Sequence, residues 1–127
     1  MKIAEVSKKY NLTEDTIRYY EKIGLIPRVP RTKSGIREFD DESCRWIEFI
    51  KCMRNSGMTI EVLTEYVNLY KQGEGTAEAR KQLLIEQRKN LIKKQEEIAN
   101  TIKRLDYKIG IYNEIIEGKR KDFLDEP

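Results

Sequence analysis

With successive side chains set 100° apart on a helix, Arg18, Tyr19 and Lys22 share a face opposite Ile17 and Tyr20. Arginine can read a guanine edge through two hydrogen bonds, and tyrosine and lysine can hold phosphates, so such a face could enter a major groove. An ordinary solvated helix face has the same pattern, and only the surrounding chain decides between the two. Directly downstream, residues 26–39 carry Arg28, Arg31, Lys33 and Arg37 and no acid before Glu38, which suits a loop lying on a phosphate backbone. The remaining candidates for chemistry are two thiols, Cys44 and Cys52, a potential nucleophile pair with no histidine anywhere in the chain to act as base or to complete a zinc site.

Eight residues of helix separate the cysteines by ~12 Å, beyond the roughly 7 Å limit between Cα atoms for a disulfide, so they are not expected to pair within one chain. Cys44 falls in the first turn of its helix, where the dipole favours thiolate. Cys52 falls near the opposing end, with Lys51 and Arg54 as basic neighbours. Both also fit small, semi-buried residues without a redox role.

The elements that would position these residues follow from composition and periodicity. The 127 residues are 39% apolar and 37% charged with only 7 Gly and 3 Pro, which points to small helical modules with solvated faces rather than one large core. No run approaches the ~18 apolar residues of a membrane helix and the start lacks a secretory apolar segment, so a cytoplasmic protein without a membrane partner is expected. Residues 1–37 hold nine Lys or Arg against four Asp or Glu, whereas residues 38–72 hold four against seven. The anion-binding face therefore belongs in the first third.

Ile3 and Val6 predict a first short helix that Asn11 can close in the left-handed conformation. Thr13 is a good N-cap for a second, Glu14 and Asp15 suit its positive end, and Gly24 stops it. Two short helices across a tight turn make a helix-turn-helix. Two prolines keep residues 26–39 non-helical, and Ser34-Gly35 before the alternating Ile36, Arg37, Glu38 and Phe39 predicts a short hairpin. Asp40 should cap a third helix with Trp46, Phe49, Ile50 and Met53 inward, leaving Cys52 roughly opposite Trp46 and Ile50. Thr59 should cap a fourth, with Ile60, Leu63, Val67 and Tyr70 on one face and Gly73-Glu74-Gly75 at its end.

Residues 76–118 contain no proline. Leu84, Leu91, Ile98, Leu105 and Tyr112 recur every seven residues there, with Ile102, Ile109 and Ile116 in a second seam, and Arg88 and Gln95 interrupt its N-terminal half. This is a coiled-coil pattern on a helix of ~65 Å. Nothing comparable remains in the chain to cover it, so a second subunit or a partner helix is required.

Taken in order, Thr16-Ile17-Arg18-Tyr19-Tyr20-Glu21, Gly24-Leu25, Arg31, Gly35-Ile36-Arg37-Glu38-Phe39 and Gly57-Met58 resemble the signature of MerR-family transcriptional regulators across residues 3 to about 70. The resemblance implies a mainly α fold: a winged helix-turn-helix DNA-binding domain at 1–72 with a small β-hairpin wing, a long antiparallel coiled-coil dimerisation helix at 76–118, and a short C-terminal tail at 119–127. It further implies a homodimer that grips double-stranded promoter DNA with an over-long spacer and distorts it so that RNA polymerase engages. Thr16, Arg18, Tyr19 and Lys22 would be recognition-helix contacts, Arg31, Lys33 and Arg37 wing contacts, and Tyr20 an inward support. Ile36 and Phe39 stand where tyrosines are usual, which removes a tyrosine-mediated phosphate contact from the wing.

Metal sensors of that family carry cysteines beside and after the dimerisation helix, but residues 73–127 hold neither cysteine nor histidine. Only nine residues follow Gly118, so an appended drug-binding domain is not expected. The segment 46–58 resembles the subgroup that senses aldehydes and other electrophiles through one cysteine, with Cys52 at the matching position. No catalytic set, metal or cofactor is expected. Two alternatives stay open: a coiled-coil adaptor with a basic docking domain, and a MerR-type regulator without a thiol switch.

Overall fold

A computed structural model describes residues 1–122 of the chain. Among them are five helices: α1 (Ile3–Tyr10), α2 (Glu14–Lys22), α3 (Asp41–Asn55), α4 (Ile60–Gln72) and α5 (Ala77–Ile116). Their ends lie where local chemistry places them. The Thr13 hydroxyl accepts from Thr16 N–H at 3.1 Å, the Asp40 carboxylate from Ser43 N–H at 2.8 Å, and the Thr59 hydroxyl from Val62 N–H at 3.2 Å. Each satisfies one orphan amide of a first turn, a contribution of about 1 kcal/mol. Asn11 closes α1 with a φ of 53°, and Gly24, with a φ of 78°, reverses the chain after α2 at a conformation that a Cβ would oppose.

The chain forms two compact units, residues 1–87 and 88–127. In the first, Val6 from α1 and Ile17 and Tyr20 from α2 meet Cys44, Ile47 and Ile50 from α3 and Leu63 and Val67 from α4. Leu25, Ile26, Val29 and Phe39 join the same core from the segment between α2 and α3, so a stretch without regular structure is tied down by its apolar side chains. Tyr20 points inward as its angle predicts.

The inward stripe of α3 needs correction. Ile47 is fully buried beside Ile50, together with Ser43 and Cys44, whereas Trp46, Phe49 and Met53 are only partly covered. The helix packs against both α1 and α4 and therefore uses two faces. Burying Ile47 contributes roughly 1.5–3 kcal/mol. The second face carries aromatic edges, with Trp46 at 4.8 Å from Tyr70 and 6.1 Å from Phe49 between ring centroids.

The expected β-hairpin wing is not formed as strands. Residues 26–39 contain one isolated antiparallel bridge, Arg31 with Arg37, around a turn in which Gly35 N–H donates to Thr32 O at 2.9 Å. The next pair outward is half made: Glu38 N–H donates to Pro30 O at 2.8 Å, but proline has no N–H to return. A ladder needs donors on both sides, and Pro27 and Pro30 remove them. The wing is thus a basic loop rather than a sheet.

The second unit contains the later part of α5. The seam positions Ile98, Ile102, Leu105, Ile109, Tyr112 and Ile116 are exposed there, as are Leu84 and Leu91 earlier on the helix, and Ile98, Ile102, Leu105 and Ile109 are open by half or more. A continuous apolar stripe in water on a single chain is an uncovered association surface. Of the tail expected at 119–127, residues 123–127 lie outside the described residues. No described helix is long and apolar enough to cross a membrane.

Candidate nucleic-acid interface

The Thr13 N-cap and a left-handed Asn11 set α1 and α2 across a tight turn, which presents the outer face of α2. Arg18 and Tyr19 are exposed there, Tyr19 to 48%, and Lys22 is exposed one turn on. The Arg18 guanidinium rests on the first turn of its own helix, at 3.0 Å from Asp15 Oδ1 and 3.3 Å from Glu14 Oε1. Such exposed pairs contribute little, so Arg18 can exchange them for a base edge or a phosphate. The Thr16 hydroxyl accepts from the Thr13 hydroxyl at 2.7 Å, which draws it into the cap.

Arg18, Glu21, Lys22, Arg28, Arg31 and Arg37 line one cleft of about 330 Å³ between α2 and the basic loop. Four of the residues singled out from sequence, Arg18, Lys22, Arg31 and Arg37, therefore come together, although they span twenty positions of chain. Lys33 is exposed at the loop turn and is not among the cleft's lining residues. Arg28 joins the group. It belongs to the basic run noted above, but nothing in its spacing sets it apart from its neighbours. Lys22 and Arg28 have no ion-pair partner among the described residues.

Glu21, the one acid in the cleft, holds its geometry. Its Oε1 accepts from Arg37 Nε at 2.8 Å and from Arg31 Nη2 at 3.1 Å, and its Oε2 accepts from the Val29 N–H at 2.6 Å. Burial pushes this carboxyl up. The hydrogen bonds from Arg37 and Val29 and the charges of Arg37 and Arg31 outweigh burial and hold it below the ordinary glutamate value. Arg31 and Arg37 are thus anchored, oriented cations. Sequence spacing gave no sign of this, because the partners lie 8, 10 and 16 residues downstream.

The two thiols have different surroundings. Cys44 is buried against Tyr10, whose hydroxyl is raised by burial and then by the neighbouring Cys44. Cys52 is exposed in the last turn of α3, its carbonyl accepting from Ser56 N–H at 3.1 Å. The cations beside it in sequence are engaged with backbone: Lys51 Nζ donates to Tyr10 O, and Arg54 Nη1 to Met58 O at 3.0 Å. No three His, Cys, Asp or Glu side chains are grouped to hold a metal ion among the described residues.

A helix-turn-helix with a cationic cleft, joined to a long helix with an uncovered apolar seam, defines a class of regulatory proteins rather than of enzymes. The comparisons agree. Residues 1–69 match the MerR HTH family regulatory protein, and residues 44–107 match the family described as MerR, DNA binding. The HTH-type transcriptional regulator AdhR of Bacillus subtilis is 56% identical over 92 residues, 72% of this chain and 66% of that one, so the match spans just under two thirds of the relative. An HTH-type transcriptional regulator of Haemophilus influenzae is 30% identical over 86% of this chain and 81% of its own. Among solved structures, a MerR family transcriptional regulator from Listeria monocytogenes superimposes with a TM-score of 0.85 at 45% identity, covering 89% of this chain and 86% of that one. HiNmlR, a MerR family regulator lacking the sensor domain and bound to promoter DNA, gives a TM-score of 0.83 at 28% identity, covering 91% and 92%.

The chain belongs to the MerR HTH family and is a transcriptional regulator.

Proposed function

We propose that the chain is a homodimeric, sequence-specific promoter-binding regulator. Arg18, Tyr19 and Lys22 face the major groove beside Thr16 in the cap, and Arg28, Arg31, Lys33 and Arg37 track the phosphates. The convergence of α2 and loop cations on one cleft supports this reading, since the α2 cation proposed for base readout lies beside the loop cations proposed for phosphates. Two copies pair along the seam from Leu84 to Ile116 in antiparallel fashion. Their paired domains grip a pseudo-palindrome with an over-long spacer and distort it until RNA polymerase engages. Salt-dependent binding of the full chain to a promoter duplex, with preference over a scrambled one, tests it; equal affinity for both would contradict it, as would capture of acidic proteins in preference to DNA.

Cys52 supplies the response to aldehydes or other thiol-reactive electrophiles. AdhR, similar over the region that holds Cys52, and the exposure of this thiol beside a buried Cys44 support that role. In the reaction with an aldehyde the Cys52 thiolate forms a C–S bond to the carbonyl carbon, the π electrons move to oxygen, and that oxygen takes a proton from water. The adduct adds bulk at the end of α3 and shifts α3 and α4 against the partner's long helix. Aldehyde-induced transcription that survives in Cys52→Ser would contradict this role.

A further inference from the structure

Glu21 places a negative charge inside the surface proposed to meet phosphates, and only 9% of its side chain is exposed. A carboxylate there opposes DNA binding by charge alone and is costly to bury, so its contribution must come through its partners. Those partners are the two limbs of the basic loop. Oε1 receives Arg31 from one limb at 3.1 Å and Arg37 from the other at 2.8 Å, while Oε2 receives the Val29 amide at 2.6 Å.

Val29 and Phe39 anchor the two ends of the loop in the core, and between them Glu21 is the α2 side chain that hydrogen-bonds to it among the described residues. The loop backbone is joined by one isolated bridge, Arg31 with Arg37, and Pro30 prevents the next pair from being completed. Arg37 is held through Nε, which leaves both Nη groups unengaged among the described residues. Arg31 is held through Nη2, with Nη1 at 3.5 Å from Gly35 O. The carboxylate thus grips each guanidinium from the protein side.

We propose that Glu21 is a positioning residue for duplex recognition, which sets the loop guanidiniums at a fixed distance from the readout face of α2. The proposal rests on the promoter-binding reading. Cations already ordered in the free protein need not be ordered on binding, and a correctly spaced pair of contacts favours the operator over other DNA.

The consequence has a sign that separates it from charge alone. Glu21→Gln keeps the size and one oxygen but makes the cleft more positive, so a purely electrostatic role predicts tighter binding to every duplex. A positioning role predicts weaker binding to the operator only.

The test uses fluorescence anisotropy of the full chain with an operator duplex defined by footprinting and a scrambled duplex of equal length, over a potassium chloride series. Wild type should prefer the operator; absence of preference would overturn the promoter-binding reading itself, before any variant is compared. In Glu21→Gln the operator affinity should fall about tenfold, by the loss of a charge-assisted anchor, while affinity for the scrambled duplex stays level or rises. Arg37→Lys, which keeps the charge but cannot reproduce the Nε contact, should lose more affinity for the operator than for the scrambled duplex and so lose operator preference in the same way. Circular dichroism checks the fold, and should Glu21→Gln unfold, Arg37→Lys decides. Equal tightening on both duplexes in Glu21→Gln, or full operator preference in Arg37→Lys, would overturn the proposal.

Discussion

Cys44 and Cys52 stand eight residues apart on the same helix, one buried against Tyr10 in the core and the other exposed at the helix end. Helix position alone favours Cys44 as the reactive thiol, because its first-turn site lies at the positive end of the dipole. Accessibility reverses that preference. An electrophile reaches the exposed Cys52 directly, whereas Cys44 is only 8% exposed, in the lining of a cavity it shares with Met1, Tyr10 and Phe39.

Alkylation followed by mass spectrometry should therefore modify Cys52 well before Cys44 in the native protein, with the two rates converging in denaturant. Cys52→Ser should retain operator binding and lose aldehyde-induced transcription in a reporter strain. Faster native labelling of Cys44 would transfer the sensing role to it.

The cations of the cleft should differ by role. Arg18→Ala should cost roughly 1–3 kcal/mol on the operator and relax base preference, whereas Arg28→Ala and Lys33→Ala should weaken all duplexes alike and lower the salt slope by ~1 per lost contact. Binding isotherms at several salt concentrations distinguish the two patterns, and uniform loss in Arg18→Ala would remove base readout from it.

Ile102 is exposed in the single chain, so lysine there costs an isolated subunit little. In the paired seam it buries an uncompensated charge at several kcal/mol. Ile102→Lys should therefore yield helical monomers in light scattering, with weakened operator binding. An unchanged dimer mass would contradict the seam.

Acid should weaken the fold through Asp40 and Glu21. The Ser43 backbone amide, as a hydrogen-bond donor, chiefly holds Asp40 below its ordinary value; for Glu21, Arg37, Val29 and Arg31 outweigh burial. Both pKa values are depressed in the folded state, so their stabilisation is complete above the ordinary carboxyl range and is lost as pH falls through the folded values. Thermal melts should show a midpoint that is flat near neutrality and drops in acid. Asp40→Ala should lower stability by about 1 kcal/mol at neutral pH, and a neutral effect there would show that the cap contributes nothing.

Helix ends were the most legible feature, because Thr13, Asp40, Thr59 and Asn11 act through groups three residues away or within their own backbone. The length of α5 was equally visible, since a proline-free stretch with a helical apolar repeat needs only its own sequence. Ile47 was missed because one stripe was fitted to a helix that packs on two sides. The strands expected in the wing failed for lack of proline donors. Glu21 had no signature, because its meaning lies in partners brought to it by the fold of residues 23–37.

Quantitative footprinting of the full chain on the promoter of its regulated gene tests promoter binding and distortion most directly. Two symmetric half-sites should be protected at physiological salt, with enhanced cleavage at the distorted centre and affinity at least 10³-fold above random DNA, roughly the lower bound for specific binders. Protection that spreads evenly over the fragment, with no preference for any sequence, would contradict it.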